Sequence, residues 1–204
     1  SERPSPAEQG AAPLRIVGGR MRGRKLLYSG DPRTRPMKER VREAVFNLVG
    51  PGVADTVAFD LFAGTGAMGI EALSRGAHHA TFVERHFPTA HLIEKTVADL
   101  ELQERTNVAA GDVFHWTKTL PPGGDRRWVV FICPPYRLYT EMHEEMLALV
   151  GRVLDRAPAE SIVVAEADDS FDFSTLPDAA RWDVRKYAPA VVGLWRKRPA
   201  DPAS

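Results

Sequence analysis

Two short stretches carry the residue types and spacing from which chemistry can be read. Asp60-Leu61-Phe62-Ala63-Gly64-Thr65-Gly66-Ala67-Met68-Gly69 follows the apolar run Thr56–Phe59. That is the pattern of a strand running into a glycine turn and opening a helix. Cys133-Pro134-Pro135-Tyr136 closes a second apolar run, Trp128–Ile132. A nucleoside cofactor would lie against the first stretch, and a planar, amino-bearing base would meet it at the second. Together they predict an S-adenosylmethionine-dependent methyltransferase.

Gly64-Thr65-Gly66-Ala67-Met68-Gly69 also fits G-x-G-x-x-G, which marks dinucleotide sites. The shared physics is close backbone approach and the free N–H groups of a helix start. Asp60 separates the two cofactors. An anion at the end of the strand repels a pyrophosphate, whereas it suits the ammonium of S-adenosylmethionine. Glu84 ends the next predicted strand, where a carboxylate can accept both ribose hydroxyls, and this fits either cofactor. Asp112 ends the third, where it can accept from an adenine amino group. A helix N-cap is the alternative role for each carboxylate, since each stands at a strand-to-helix junction. The enzymatic rival is a nicotinamide-dependent oxidoreductase, which leaves the Pro-Pro-Tyr loop without a role.

In Cys133-Pro134-Pro135-Tyr136, two prolines stiffen the loop and present carbonyl acceptors, and the tyrosine ring offers a face on which a base stacks. The bland alternative is an ordinary turn with Tyr136 as a lid on the core.

The elements that must position these residues follow from periodicity. Met37–Val49 carries Val41, Val45, Leu48 and Val49 on one stripe, started by Pro36 and stopped by Gly50-Pro51, and reads as an amphipathic helix. Leu14–Val17 and Lys25–Tyr28 read as short strands around a glycine-arginine turn. From Val53 onward strands and helices alternate: strand Val57–Phe62, helix Ala67–Arg75, strand Ala80–Glu84, helix Pro88–Leu102 and strand Asn107–Ala110. Strand Trp128–Ile132, helix Glu141–Leu154 and strand Ser161–Ala167 continue the pattern. This alternation predicts a parallel sheet covered by helices on both faces. Trp182–Tyr187 and Ala190–Trp195 read as a hairpin added to its edge.

Composition sets the remaining bounds. The chain has 204 residues, 44% of them apolar, and a single cysteine. One good core is within reach, a disulfide framework and a zinc site are not, and a reducing, cytosolic setting is expected. No apolar run approaches the roughly 18 residues of a membrane span, and the N-terminus lacks the apolar core of a signal peptide. The net charge is zero, yet the stretch from Arg15 to Arg42 holds ten basic residues against Asp31 and Glu39. Such asymmetry suggests that one end of the molecule meets a polyanion, the alternative being a solvated basic face. The glycines of Gly18-Gly19-Arg20-Met21-Arg22-Gly23-Arg24-Lys25 allow close approach to phosphates.

Across these segments the chain resembles the RsmD family, which methylates the 2-amino group of one guanine in small-subunit (16S) ribosomal RNA. The resemblance runs from Leu14 to Lys197. Beyond the two motifs it is carried by Arg15-Ile16-Val17-Gly18-Gly19, Arg22-Gly23-Arg24-Lys25-Leu26, Arg35-Pro36 and Arg40-Val41-Arg42-Glu43-Ala44-Val45-Phe46-Asn47. Glu71-Ala72-Leu73-Ser74-Arg75-Gly76-Ala77 and Phe82-Val83-Glu84 extend it.

The resemblance implies a class I, Rossmann-like α/β methyltransferase: a seven-stranded, mostly parallel sheet with helices on both faces and a small N-terminal β/α appendage. It implies S-adenosylmethionine as donor and a monomer acting on small-subunit ribosomal RNA or an assembling 30S particle. Asp60, Gly64 and Gly66 would line the methionine end, Glu84 the ribose, and Asp112 with Val113 the adenine. Phe62, Ala63, Thr65 and Arg85 complete the expected cofactor contacts, and no metal is expected. Cys133, Pro134, Pro135 and Tyr136 would form the catalytic loop. Arg20, Arg22, Arg24, Lys25, Arg35, Arg40 and Arg42 would grip RNA. The expected organisation is a disordered tail over residues 1–13, a basic RNA-binding appendage over 14–52, the methyltransferase domain over 53–198 and a tail over 199–204.

At Cys133 the family typically has Asp or Asn. A carboxylate or amide oxygen accepts the N2 hydrogen and stabilises growing positive charge, whereas a thiol is a weak acceptor. Three readings follow. Transfer proceeds more slowly, with the Pro134 carbonyl as main acceptor and an incoming Glu or water as helper. Alternatively, the chain binds RNA and S-adenosylmethionine with catalysis impaired. In the third reading it methylates another base, Cys133 acting as a nucleophile as in cytosine-C5 methyltransferases. There, however, the cysteine follows a proline, and here it precedes two.

Overall fold

The computed structural model describes residues 14–202; the tail expected over residues 1–13 lies outside them. One sheet of seven strands organises the chain, in the order β3-β2-β1-β4-β5-β7-β6. Its strands are β1 (Val57–Leu61), β2 (His79–Glu84), β3 (Thr106–Ala110), β4 (Trp128–Ile132), β5 (Ile162–Asp168), β6 (Asp183–Tyr187) and β7 (Ala190–Arg196). All neighbours run parallel except β7, which is antiparallel to both β5 and β6. β4 is buried at every position and β5 at all but its last, which is why they read as continuous apolar runs rather than alternating ones. The edge strand β6, Asp-Val-Arg-Lys-Tyr, is mostly exposed and charged, a composition that discourages further strand pairing.

The helices are α1 (Glu39–Val49), α2 (Ala67–Ser74), α3 (Phe87–Asp99), α4 (Val113–Lys118), α5 (Leu138–Glu141) and α6 (His143–Arg156). Val45, Ile70, Ile93, Phe82 and Phe131 belong to a core on one face of the sheet. Leu61, Val113, Ile132, Met146 and Val153 belong to the core on the other. Strand alternation assigns side chains to the two cores in turn.

Three differences from the sequence expectations have physical reasons. α4 was not foreseen, because a helix of six residues is too short to show a stripe. The helix expected from Glu141 is broken at Met142, whose φ of −130° separates α5 from α6. The two N-terminal strands reduce to one antiparallel bridge, Arg15↔Lys25. Ile16 N and Leu26 N still pair across the bridge, donating to the Arg24 and Leu14 carbonyls at 2.9 Å, but the pairing ends where Val17 N and Gly18 N turn to Glu71 Oε1 and Oε2 at 2.8 and 2.9 Å. Gly19, with φ +76°, passes so close to α2 that a Cβ would stand 2.0 Å from the Ser74 carbonyl oxygen. Only glycine fits there.

Candidate active site

Strand order reverses between β1 and β4, and in open α/β sheets ligands bind outside the carboxyl ends of the strands at such a switch point. Leu61 pairs with Ile132 in register. The glycine turn and the Cys133–Tyr136 loop therefore leave the sheet side by side.

Asp60 is fully buried, and its Oδ2 accepts the Gly69 amide at 2.9 Å. Burial pushes its carboxyl up to about 8; the Gly69 bond opposes the shift and the charge of Glu84 adds to it. The turn that follows needs left-handed backbone at Phe62, Gly64 and Gly66, with φ of 59°, 56° and 78°. Gly66 then caps α2 with no side-chain partner. A Cβ on Gly69 would lie 2.5 Å from the Phe82 ring, so the start of α2 sits hard against β2. Ala63 and Thr65 are buried, and Phe62 packs edge-on against Phe114 with ring centroids 5.8 Å apart.

Glu84 ends β2 half-buried, accepting the Gly64 amide at 3.4 Å. Burial raises its pKa against the pull of the Gly64, His86 and Arg85 amides. Arg85 points to solvent. Asp112 is exposed and its Oδ1 accepts the His115 amide at 3.0 Å, so it fills the N-cap role weighed for it; Val113 beside it is buried.

Cys133 is half-buried, and burial drives its thiol well above the ordinary value, with Glu166 and Asp60 adding to the rise. It stays protonated at neutral pH, which removes the thiolate that a nucleophilic role requires. Pro134 is buried, Pro135 exposed and Tyr136 half-buried. The Tyr136 hydroxyl donates to Glu166 Oε1 at 2.8 Å, and burial followed by the charge of Glu166 raises its pKa. Tyr139 donates to the Glu166 carbonyl at 2.9 Å.

Of the basic residues proposed to grip RNA, Arg20, Arg22, Arg24, Lys25, Arg35 and Arg40 are exposed. Arg42 is not. It is fully buried, ion-paired to Glu71 at 3.2 Å and hydrogen-bonded to the Arg15 carbonyl, so it cannot reach a phosphate. Its place on the inward stripe of α1, next to Val41 and Val45, was the signal that it faces the core. Periodicity and motifs give no role to Glu166, nor do they show that Tyr28 and Thr34 border the glycine turn, where a small cavity opens between them, Gly64 and Thr65.

A seven-stranded sheet of this order, with the last strand pair antiparallel and paired loops at the switch point, defines a class I methyltransferase. Residues 14–194 match the family described as conserved hypothetical protein 95, and the chain belongs to that family, as the RsmD resemblance implied. Ribosomal RNA small subunit methyltransferase D of Escherichia coli (strain K12) is 33% identical over 184 residues, 89% of this chain and 87% of that one. The Bacillus subtilis (strain 168) protein YlbH is 30% identical over 192 residues, 91% of this chain and 100% of its own length. Among solved structures, the Escherichia coli protein yhhF superposes with a TM-score of 0.75 at 28% identity, covering 93% of this chain and 100% of that one.

Proposed function

We propose that this chain is an S-adenosylmethionine-dependent methyltransferase of small-subunit (16S) ribosomal RNA, and that its target is the exocyclic N2 of a guanine presented by an assembling 30S particle. The observation that carries the reading is the register Leu61↔Ile132, which sets the glycine turn beside the Pro-Pro-Tyr loop.

The residues around the turn fit the cofactor. Asp60 and Glu84 are carboxylates raised by burial, and the charge of Glu84 further raises Asp60. A cationic ligand relieves that situation. Gly64 and Gly66 hold the left-handed backbone of the turn, and Gly66 caps α2 without a side chain. Asp60 would hold the ammonium end, Glu84 the ribose hydroxyls, and Asp112 the adenine amino group through its second carboxylate oxygen, with Val113 against the ring. Phe62, Ala63, Thr65 and Arg85 line the remainder. When bound, S-adenosylmethionine supplies an electrophilic methyl group on a sulfonium.

Pro134 and Pro135 fix the loop and offer carbonyl acceptors, and the Tyr136 ring gives the base a stacking face. Residues 14–52 serve as the RNA-binding part, through Arg20, Arg22, Arg24, Lys25, Arg35 and Arg40, and residues 53–198 as the transferase. A ribosomal substrate sets this work in the cytoplasm. The working unit in this reading is a monomer.

Calorimetric titration with S-adenosylmethionine tests the cofactor assignment. Glu84→Ala should weaken binding by about 1.5–3 kcal/mol, the value of charge-assisted bonds. No binding by the native chain contradicts the reading.

The rival, RNA and cofactor binding without transfer, draws on the neutral thiol at Cys133. It predicts normal binding of both ligands and no labelled RNA.

A further inference from the structure

The neutral thiol of Cys133 leaves the site without an obvious acceptor for a substrate amine at that position. The adjacent strand supplies one. Ile132 of β4 pairs with Ala165 of β5, so Cys133 and Glu166 stand next to each other at the carboxyl end of the sheet. Phe131 and Val164 belong to the same core, Cys133 packs against it, and Val192, the cross-strand partner of Glu166, belongs to it as well. Alternation along each strand then puts Glu166 and Cys133 on one face, the face that also holds Asp60 with its Gly69 bond.

Glu166 is only 8% exposed. Its Oε1 is taken by the Tyr136 hydroxyl at 2.8 Å, whereas Oε2 is buried with no hydrogen-bond partner. A buried carboxylate oxygen without a donor is costly, and such exceptions call for an explanation. Nothing in the fold alone requires a carboxylate here. The neighbouring strand positions are Ala165 and Ala167, and the site sits at the end of the sheet where a ligand is expected.

We propose that Glu166 Oε2 is the charged acceptor for the amino edge of the target base, beside Cys133, whose side chain is only a weak acceptor, and in addition to the Pro134 carbonyl, and that Tyr136 orients the carboxylate through Oε1. This rests on the reading that the base docks on the loop after β4. A guanine edge brings the matching donors, N1–H and the N2 amino group. During transfer the N2 electron pair forms the new N–C bond and the S–C pair remains on sulfur, leaving a neutral thioether. The N2 proton passes to Oε2, turning the carboxylate into a carboxylic acid.

The test is single-turnover methyl transfer from labelled S-adenosylmethionine to saturating, unmodified small-subunit particles, with cofactor affinity measured on each protein by calorimetry. Glu166→Gln keeps the volume and the bond to Tyr136 but replaces the charged acceptor. It should lower the rate by about 10- to 100-fold, the scale of one oriented charge-stabilising group, with cofactor affinity unchanged. Because Glu166 also holds Tyr136, Tyr136→Phe and Tyr136→Phe/Glu166→Gln separate the two roles. The double variant should be slower than Tyr136→Phe alone by a further factor of about ten. Should the amide variant fail to fold, Glu166→Asp keeps the charge and withdraws it by a methylene, and the same loss is expected. A rate for Glu166→Gln (or for Glu166→Asp in its place) within about threefold of native, or a double variant equal to Tyr136→Phe, overturns the proposal. Absence of transfer by the native chain, with cofactor bound, overturns the methyltransferase reading and this inference with it.

Discussion

Arg42 of α1 and Glu71 of α2 form an ion pair at 3.2 Å with both side chains shut off from solvent, and this pair joins α1 to the helix that follows the glycine turn. Glu71 also receives Arg75 at 3.0 Å and the amides of Val17 and Gly18. Ser74 completes the clamp, accepting the Met21 amide at 2.9 Å and donating to the Gly18 carbonyl at 2.6 Å. Two residues of α2 thus fix the backbone from which Arg20, Arg22 and Arg24 project.

Removing one side of a buried pair leaves the other charge uncompensated, which costs about 3–5 kcal/mol. Glu71→Ala should therefore lower the urea midpoint by that much in stability, since Arg42 stays buried and two amides lose their acceptor. A midpoint unchanged from the native one would show that Glu71 anchors nothing.

Arg22 and Arg24 are exposed, unlike Arg42. Charge reversal of both should weaken binding to a small-subunit RNA fragment and flatten its dependence on salt, because fewer counterions are released. Cofactor affinity should not move. Titrations at several salt concentrations read both effects, and a slope identical to the native one would remove the turn from the RNA interface.

Asp60, held at about 8 by burial, is mostly protonated in the free protein at pH 7. A cationic cofactor end beside it favours the carboxylate, so binding should release close to one proton near pH 7, and affinity should rise with pH from about 6 to about 8. Calorimetry in buffers of different ionisation heat counts the proton, and Asp60→Asn should abolish the release. The same raised pKa acts on folding. Between the ordinary value of 3.8 and about 8 the folded chain binds more protons than the unfolded one, so the Asp60 contribution to stability falls as pH rises through that window.

Gly69 has no room for a side chain beside Phe82. Gly69→Ala should cost about 1–3 kcal/mol through overpacking and should also weaken cofactor binding, because Gly69 supplies the amide that orients Asp60. Thermal unfolding and calorimetry on the same variant check the two parts.

Cys133 is raised well above the ordinary thiol range by burial and nearby carboxylates, so it should not act as a nucleophile. A 5-fluoropyrimidine-containing RNA should leave no covalent adduct detectable by mass spectrometry. A trapped adduct, lost in Cys133→Ala, would reverse that conclusion.

The sheet and the two loops at its switch point are legible because fully buried strands such as Trp128–Ile132 and the glycine turn carry strong local signals. Charge along the chain groups Arg42 with the RNA-gripping residues, whereas its helical position, beside Val41 and Val45, faces it inward. Glu166 could not be assigned, because its partners Tyr136 and Tyr139 lie about one strand–helix unit earlier and only the β4–β5 register brings them together. Asp112 was read for two roles and its cap bond to His115 is formed; a cap spends one oxygen and leaves the second for a ligand.

The most direct test of the account is the identity of the methylated nucleoside. Native protein, labelled S-adenosylmethionine and small-subunit particles lacking the modification should yield N2-methylguanosine on nuclease digestion and mass spectrometry. Label on a different atom or base, or no label although the cofactor binds, would contradict it.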